Sequence, residues 1–228
     1  MVLPLPPCLI VSTRNNTLQQ ILFVNNVSRR YYQIMPVDTK EAHHLIERLG
    51  NLVRADARAV CNDYDMRPVQ LEALEFLTQC NRYSDTPQAV AEFLGLTKGT
   101  VSQTLKVLER KGLLRKRCDA RDKRLVHLTP TAKGLKLVKR AVPAESLTLG
   151  FESLPGPDSQ MTVAFLRALL RSLQKANKLK TFAACHTCRF NEKREGGYFC
   201  GLTQEPLTEH DVALLCREHQ YPAPLTTK

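Results

Sequence analysis

The stretch TPQAVAEFLGLTKGTVSQTLKVLERKG, residues 86–112, constrains the fold of this chain more than any other. Thr86 is placed to cap a helix, and Pro87 fits the first turn, where its missing N–H leaves no bond unmade. Ala89, Val90, Phe93 and Leu94 then recur at helical spacing and form one apolar face. Gly95 ends that helix, Thr97 caps the next, and Gly112 closes it. Two helices joined by a tight glycine-containing turn make a helix-turn-helix. The residues that follow, LLRKRCDARDKRLVHLT, read as a short strand, a polar turn and a second strand carrying Leu125, Val126 and Leu128. A β-hairpin with a basic tip directly after a helix-turn-helix is a wing.

The flanks are helical. Upstream, Asp38 or Thr39 caps a helix with Glu41 in its first turn, and Ala42, Leu45, Leu49 and Leu52 form one stripe. Asp56 interrupts the stripe before Ala59 and Val60 resume it. A second helix covers residues 67–79, with Leu71, Leu74, Phe76 and Leu77 as its buried side chains. Downstream, a helix over residues 131–152 is interrupted at Pro143. LPGP, residues 154–157, breaks the chain again, and Asp158 or Ser159 caps a last long helix that runs to residue 180. Val163, Phe165, Leu166, Leu169, Leu170 and Leu173 on that helix join Leu45, Leu49 and Leu52 on the first. This is more apolar helix surface than one small winged helix can cover, which points to a dimer; a bundle within one chain is the alternative.

Charge is concentrated rather than spread. Residues 97–140 hold 14 Lys/Arg against three acids (Glu109, Asp119 and Asp122), a surplus equal to the +11 of the whole chain. Residues 181–228 hold five Lys/Arg and six acids and are close to neutral. Only the first of these segments is built to meet a polyanion. In the second helix of the helix-turn-helix, Val101, Leu105 and Leu108 fall on the inner face. Ser102, Gln103 and Lys106 then point outward, with Lys98 and Thr100 at the N-terminal end and Arg110 near the other. Gln bonds adenine edges, Lys reaches guanine or phosphate, and Ser and Thr serve either. The wing adds Arg115, Lys116, Arg117, Lys123 and Arg124, together with Arg121, a set suited to a minor groove or the phosphate backbone. A plain solvated basic surface is the alternative.

Across residues 89–134, AVAEFLGLTKGTVSQTLKVLERKGLLRKRCDARDKRLVHLTPTAKG, the sequence resembles the MarR family of bacterial transcriptional regulators. DARDKR is similar to the family's wing motif and LTPTAKG to the start of its post-wing helix; the resemblance extends over residues 38–180. It implies a mainly α fold with a small β wing, in which the first helix and the last two pair across a two-fold axis. It implies a homodimer that reads a palindromic operator in adjacent major grooves of double-stranded DNA. It also implies that Asp119 and Arg121 stabilise the wing and contact DNA. The chain departs from the family in residues 1–36, an extension without clear pattern, and in a cysteine-rich tail. The expected layout is a dimerisation helix at 37–66 and a winged helix-turn-helix domain at 67–134. Dimerisation helices at 135–180, a metal-binding module at 181–221 and a tail at 222–228 complete it.

In that module Cys185 and Cys188 form a C-x2-C pair, followed by Cys200 and Cys216. Two thiolates on one turn make a natural bite, and thiolates are soft ligands that select zinc or iron–sulfur clusters over magnesium or calcium. Gly196 and Gly197 provide a turn before YFCGL, and PLTEHDVALLC reads as a short capped helix delivering Cys216. An iron–sulfur cluster suits one pair plus two dispersed cysteines. Structural zinc is the alternative, with Cys216 and His219 of CREH as a second knuckle. A metal-free thiol pair leaves two cysteines unexplained. Phe182, Phe190, Tyr198 and Phe199 are expected as a small core around the site, and His186 and His210 as surface residues. Cys61 and Cys80 read as buried small apolar residues. Cys118, beside Arg117, is a candidate reactive thiol, and His43 and His44 read as helix surface.

No run approaches the ~18 apolar residues of a membrane span, and the N-terminal stretch lacks a signal-peptide pattern. The expectation is a cytoplasmic protein whose cysteines stay reduced. There is no phosphate loop, nucleophile–base pattern or dinucleotide fingerprint, so an enzyme is not expected. The reading is a DNA-binding regulator, a repressor, whose cluster senses redox state, oxygen or iron. A winged-helix adaptor of the transcription machinery with structural zinc is the alternative.

Overall fold

The computed structural model describes residues 38–120 and 122–223. Two units divide between Arg48 and Leu49. Among the described residues, the first unit holds only the opening turns of helix α1 (Thr39–Asp63). Asp38 caps them, its Oδ1 accepting from the amides of Lys40 (2.8 Å) and Glu41 (3.2 Å). The elements after α1 all lie in the second unit.

Its centre is a winged helix: α2 (Pro68–Gln79), α3 (Pro87–Leu94), α4 (Lys98–Arg110), β1 (Leu114–Cys118), β2 (Val126–Pro130) and α5 (Ala132–Ala141). Three threonines start three helices. Thr86, Thr97 and Thr131 each accept from a backbone amide three residues on, at 3.2 Å. Gly95 and Gly112, with φ of +65° and +68°, end α3 and the turn after α4 in the left-handed region. Strands β1 and β2 pair antiparallel from Leu114↔Pro130 to Cys118↔Val126. Leu74 and Phe76 of α2, Val90 of α3, Val101, Leu105 and Leu108 of α4, and Leu137 of α5 close on one core with Leu113, Leu114 and Leu128. Each such side chain contributes roughly 1.5–3 kcal/mol by leaving water. Gly134 lets α5 lie against the chain before β1, because a Cβ there would collide with the Leu113 carbonyl.

The interruption at Pro143 occurs as expected: α5 stops at Ala141 and α6 (Glu145–Glu152) begins afresh. Helix α7 (Gly156–Ala176) corrects both expected ends. Its cap is Pro155 rather than Asp158 or Ser159, because Pro157 in the first turn gives up no helical bond. It stops at Ala176 rather than residue 180, where Lys178 takes a positive φ of 54°. Phe165, Leu166, Leu169, Leu170 and Leu173 of α7 are all exposed, and its one buried residue is Gln174. Leu45, Ile46, Leu49 and Leu52 of α1 are likewise exposed.

The tail is a small domain of short pieces. It contains β3 (Ala183–Ala184), a 3-10 turn at Cys185–Thr187, β4 (Asn191–Arg194), β5 (Gly197–Cys200), β6 (Glu205–Leu207), α8 (Glu209–Ala213) and β7 (Leu215–Cys216). Strands β4-β5-β6 form one sheet, and β3 pairs with β7. Cys80, at the end of α2, bridges Leu215. The chain entering β3 therefore delivers Phe182 to the winged helix, edge-on to Phe76 (5.8 Å) and Phe93 (5.3 Å). That corrects its expected place around the cysteines. The core beside the cysteines is instead Cys185, Leu207 and Val212, with Tyr83 and Tyr198 packed on it. No described helix is long and apolar enough to cross a membrane.

Candidate functional site

On α4 the residue spacing delivers what it implies. Val101, Thr104, Leu105 and Leu108 are buried. Lys98, Thr100, Ser102, Gln103, Lys106 and Arg110 are exposed. On the wing Arg115, Arg117, Lys123 and Arg124 are exposed, while Lys116 pairs with Glu109 of α4 at 2.6 Å. Arg121 lies outside the described residues. Asp119 organises the wing turn: its Oδ1 accepts from the Asp122 amide (2.8 Å), and its Oδ2 meets His127 Nε2 (3.2 Å). Cys118 is exposed at the end of β1.

His127 and Asp85 were missed by sequence reasoning. His127, on β2, places Nδ1 2.6 Å from Asp85 Oδ1, and the Leu128 amide donates to the Asp85 carbonyl at 2.8 Å. Two carboxylates from different parts of the chain thus hold one imidazole between the wing and the turn before α3. The hydrogen bond to Asp85 pushes His127 above its ordinary value. Burial lifts Asp85 while the imidazole draws it back. The geometry supports a charged His127 held by both carboxylates. No local signal marks this pair, whose members are 42 positions apart.

Cys185, Cys188, Cys200 and Cys216 line a single cavity together with Asn81, Tyr83, Phe190, Leu202 and Leu207. Cys185 and Cys188 sit on one turn closed by the Cys188 amide donating to the Cys185 carbonyl (2.9 Å). Cys200 ends the middle strand of the sheet, opposite Asn191, and Cys216 ends β7, opposite Ala183. N–H groups aim at three of the sulfurs. Asn191 Nδ2 lies 3.6 Å from Cys185 Sγ, and the Gln220 amide lies 3.5 Å from Cys188 Sγ. The Asn81 side chain and the Glu218 amide serve Cys216. Burial pushes the Cys185 thiol up to about 11 and raises Cys216 as well, so a metal entering here displaces protons. Among the described residues, no three His, Cys, Asp or Glu side chains stand close enough to share one metal ion as they lie.

His219 takes no part in this lining. It is buried, with Nδ1 2.6 Å from Thr181 Oγ1 and Nε2 2.9 Å from Thr187 Oγ1. Both ring nitrogens are engaged, which removes the Cys216–His219 knuckle considered for zinc. His186 and His210 are exposed, as expected, and Cys61 and Cys80 are buried.

Helix-turn-helix, hairpin wing and capped following helix define a winged helix-turn-helix protein. Residues 64–125 match the sequence profile of the MarR family. A MepR mutant from a multidrug-resistant S. aureus clinical isolate is 27% identical, over 58% of this chain and 97% of its own, with a TM-score of 0.52. The S. aureus MepR–DNA complex is 27% identical over 58% of this chain and 99% of its own, with a TM-score of 0.43. A MarR protein from Peptoclostridium difficile is 20% identical over 62% and 94%, with a TM-score of 0.48. Curated proteins give no match. The family match ends well before the cysteines.

Proposed function

We propose that this chain is a MarR-type transcriptional repressor, a homodimer that binds a palindromic operator in double-stranded DNA. In this reading Cys185, Cys188, Cys200 and Cys216 hold an iron–sulfur cluster that reports redox state, oxygen or iron. The observation that carries the DNA reading is the outward row of α4 beside a basic wing, within a segment whose surplus equals the charge of the whole chain. In a major groove Gln103 presents an amide matched to an adenine edge, and Lys106 a cation for guanine or phosphate. Thr100 and Lys98 sit at the helix N-terminus, where a phosphate is stabilised. The apolar row left exposed on α7 supports dimerisation, because contiguous apolar patches on soluble proteins mark interaction sites.

The four thiols fit a soft metal centre. They converge from one turn and two strand ends on one apolar-walled cavity, and three have N–H donors of the kind that stabilise ligated sulfur. With His219 engaged elsewhere, the ligand set is all thiol. A cluster would supply reversible electron storage there; the protein's part is to gather the thiols and direct N–H groups at them.

A gel-shift titration on the chain's own upstream DNA tests the first reading. Binding should exceed that to competitor DNA, and log K should fall with log salt by about 0.9 per phosphate neutralised. Equal affinity for competitor would sink sequence-specific regulation. Anaerobic purification with an absorption spectrum and Fe, S and Zn analysis tests the second: a colourless protein with stoichiometric zinc makes the site a structural staple instead.

A further inference from the structure

Residues 80–85, the short link between α2 and the cap of α3, are bonded to the thiol module at one end and to the wing at the other. At the first end, Cys80 bridges Leu215, and the Asn81 amide donates to the Leu215 carbonyl at 2.9 Å. The Arg217 amide donates to Ser84 Oγ at 2.8 Å, Arg82 reaches Asp211 at 3.2 Å, and the Tyr83 hydroxyl donates to Glu205. Asn81 and Tyr83 belong to the wall of the four-thiol cavity, and the Asn81 side chain serves the Cys216 sulfur. At the other end, Asp85 takes the Leu128 amide on its carbonyl and His127 on its carboxylate, and His127 continues to Asp119 in the wing turn.

The link is closed internally too. Ser84 Oγ donates to Asn81 Oδ1 (2.8 Å), which also accepts from the Tyr83 amide (3.2 Å). Asn81 is 2% exposed and Ser84 0%. Polar groups this buried do not give up one partner without recruiting another, since an unmade bond there carries the full desolvation penalty. A displacement of Cys216 therefore reaches Asn81 through Leu215 and Ser84 through Arg217, and whatever moves these two moves their neighbour Asp85. Energetic coupling travels through such contiguous packed and hydrogen-bonded groups.

We propose that residues 80–85 couple the four-thiol site to the DNA-facing wing, with Asn81, Ser84, Asp85 and His127 as positioning residues. Metal ligation at Cys216 fixes the place of Leu215 and Arg217 on either side of it, and their bonds to Asn81 and Ser84 carry that shift to Asp85, and with it to His127 and Asp119. This rests on the reading that the thiols hold a metal and that the winged helix binds DNA. A link serving only as structural glue would weaken the metal-loaded and metal-depleted proteins alike when cut. A coupling link changes the ratio of their DNA affinities.

The test uses the full-length protein, metal-loaded and metal-depleted, titrated onto its own upstream DNA by fluorescence anisotropy, with metal content measured for every sample. Wild type should show a loaded-to-depleted Kd ratio at least about fivefold from unity, in the usual range of coupling between sites. Ser84→Ala and His127→Gln should keep their metal and bring that ratio to within about twofold of one. Variants that load metal and retain the wild-type ratio overturn the proposal. So does a wild type that loads metal and binds DNA with the same Kd in both forms, which leaves the regulator reading standing. A wild type that takes up no iron or zinc overturns the underlying thiol-site reading and the coupling with it, a distinct result. If Ser84→Ala does not fold, hydrogen exchange on wild type decides: amides of residues 126–130 should exchange differently in the two forms, and identical exchange overturns the coupling.

Discussion

The winged helix and the thiol module meet along residues 80–85, yet they are organised in contrasting ways. The winged helix is assembled from helices whose starts and stops are local: a threonine cap, an apolar face, a glycine. Its outward row on α4 follows from helical periodicity alone. The thiol module has strands of two to four residues and a five-residue helix. Its cavity borrows Asn81 and Tyr83 from the other region, and its attachment borrows Glu92 of α3. The difference teaches that the basic face of α4 is set by local periodicity, whereas the thiol site is completed by the winged helix. It also places the four thiols next to the link that leads into the helix-turn-helix.

Four predictions sharpen that contrast. The largest effect should come from Leu166→Glu combined with Leu170→Glu on the exposed row of α7. Light scattering should show a monomer, and DNA affinity should fall about 100-fold or more, because two linked reading heads bind more tightly than one by that order. A variant that stays dimeric would move the interface elsewhere. On α4, Gln103→Ala should cost about 1–3 kcal/mol at one operator position and relax specificity there. Lys106→Ala should instead weaken binding to all sequences and lower the salt slope by about one. Identical behaviour of the two would erase the distinction between reading and positioning.

The third prediction concerns pH. His127 is raised in the folded protein, so the stability it contributes is fully present below its ordinary value of 6.5 and is lost as pH rises through the raised one. DNA affinity at fixed salt should therefore decline above neutrality in wild type, and His127→Gln should flatten that part of the profile. The smallest effect is expected at the tail's anchor. Arg217 holds Glu92 in a two-pronged pair (2.6 and 2.7 Å) and draws its carboxyl down to about 2. The contribution is present above 4.5 and is lost as pH falls toward that lower value. Since the pair is partly exposed, Glu92→Gln should cost less than about 1 kcal/mol, read as faster proteolysis of residues 181–221. A rate unchanged by the substitution would assign the docking to Phe182 and the backbone bonds alone.

Much of the winged helix was legible beforehand, for a physical reason. Thr86, Thr97 and Thr131 cap helices through bonds to amides three residues away, so both partners fall within one glance at the sequence. The inward Val101, Leu105 and Leu108 follow from periodicity in the same way. The misreadings share the opposite property. Asp158 and Ser159 look like caps and point to a later start for α7, while the Pro155–Gly156–Pro157 turn already carries the helix start. Sequence proximity puts Phe182 beside the cysteines, and a backbone bridge between Cys80 and Leu215 sends it elsewhere.

By itself, the sequence determined the helix-turn-helix, the wing, the faces of the helices and the concentration of positive charge, because each depends on neighbours a few residues apart. It also marked four cysteines as one group. Only the tertiary structure decided that those thiols share a cavity and that His219 is spent on two threonines. The same holds for His127, which it sets between Asp85 and Asp119. These are contacts between residues tens of positions apart, chosen by which surfaces pack together, and no local spacing carries that information.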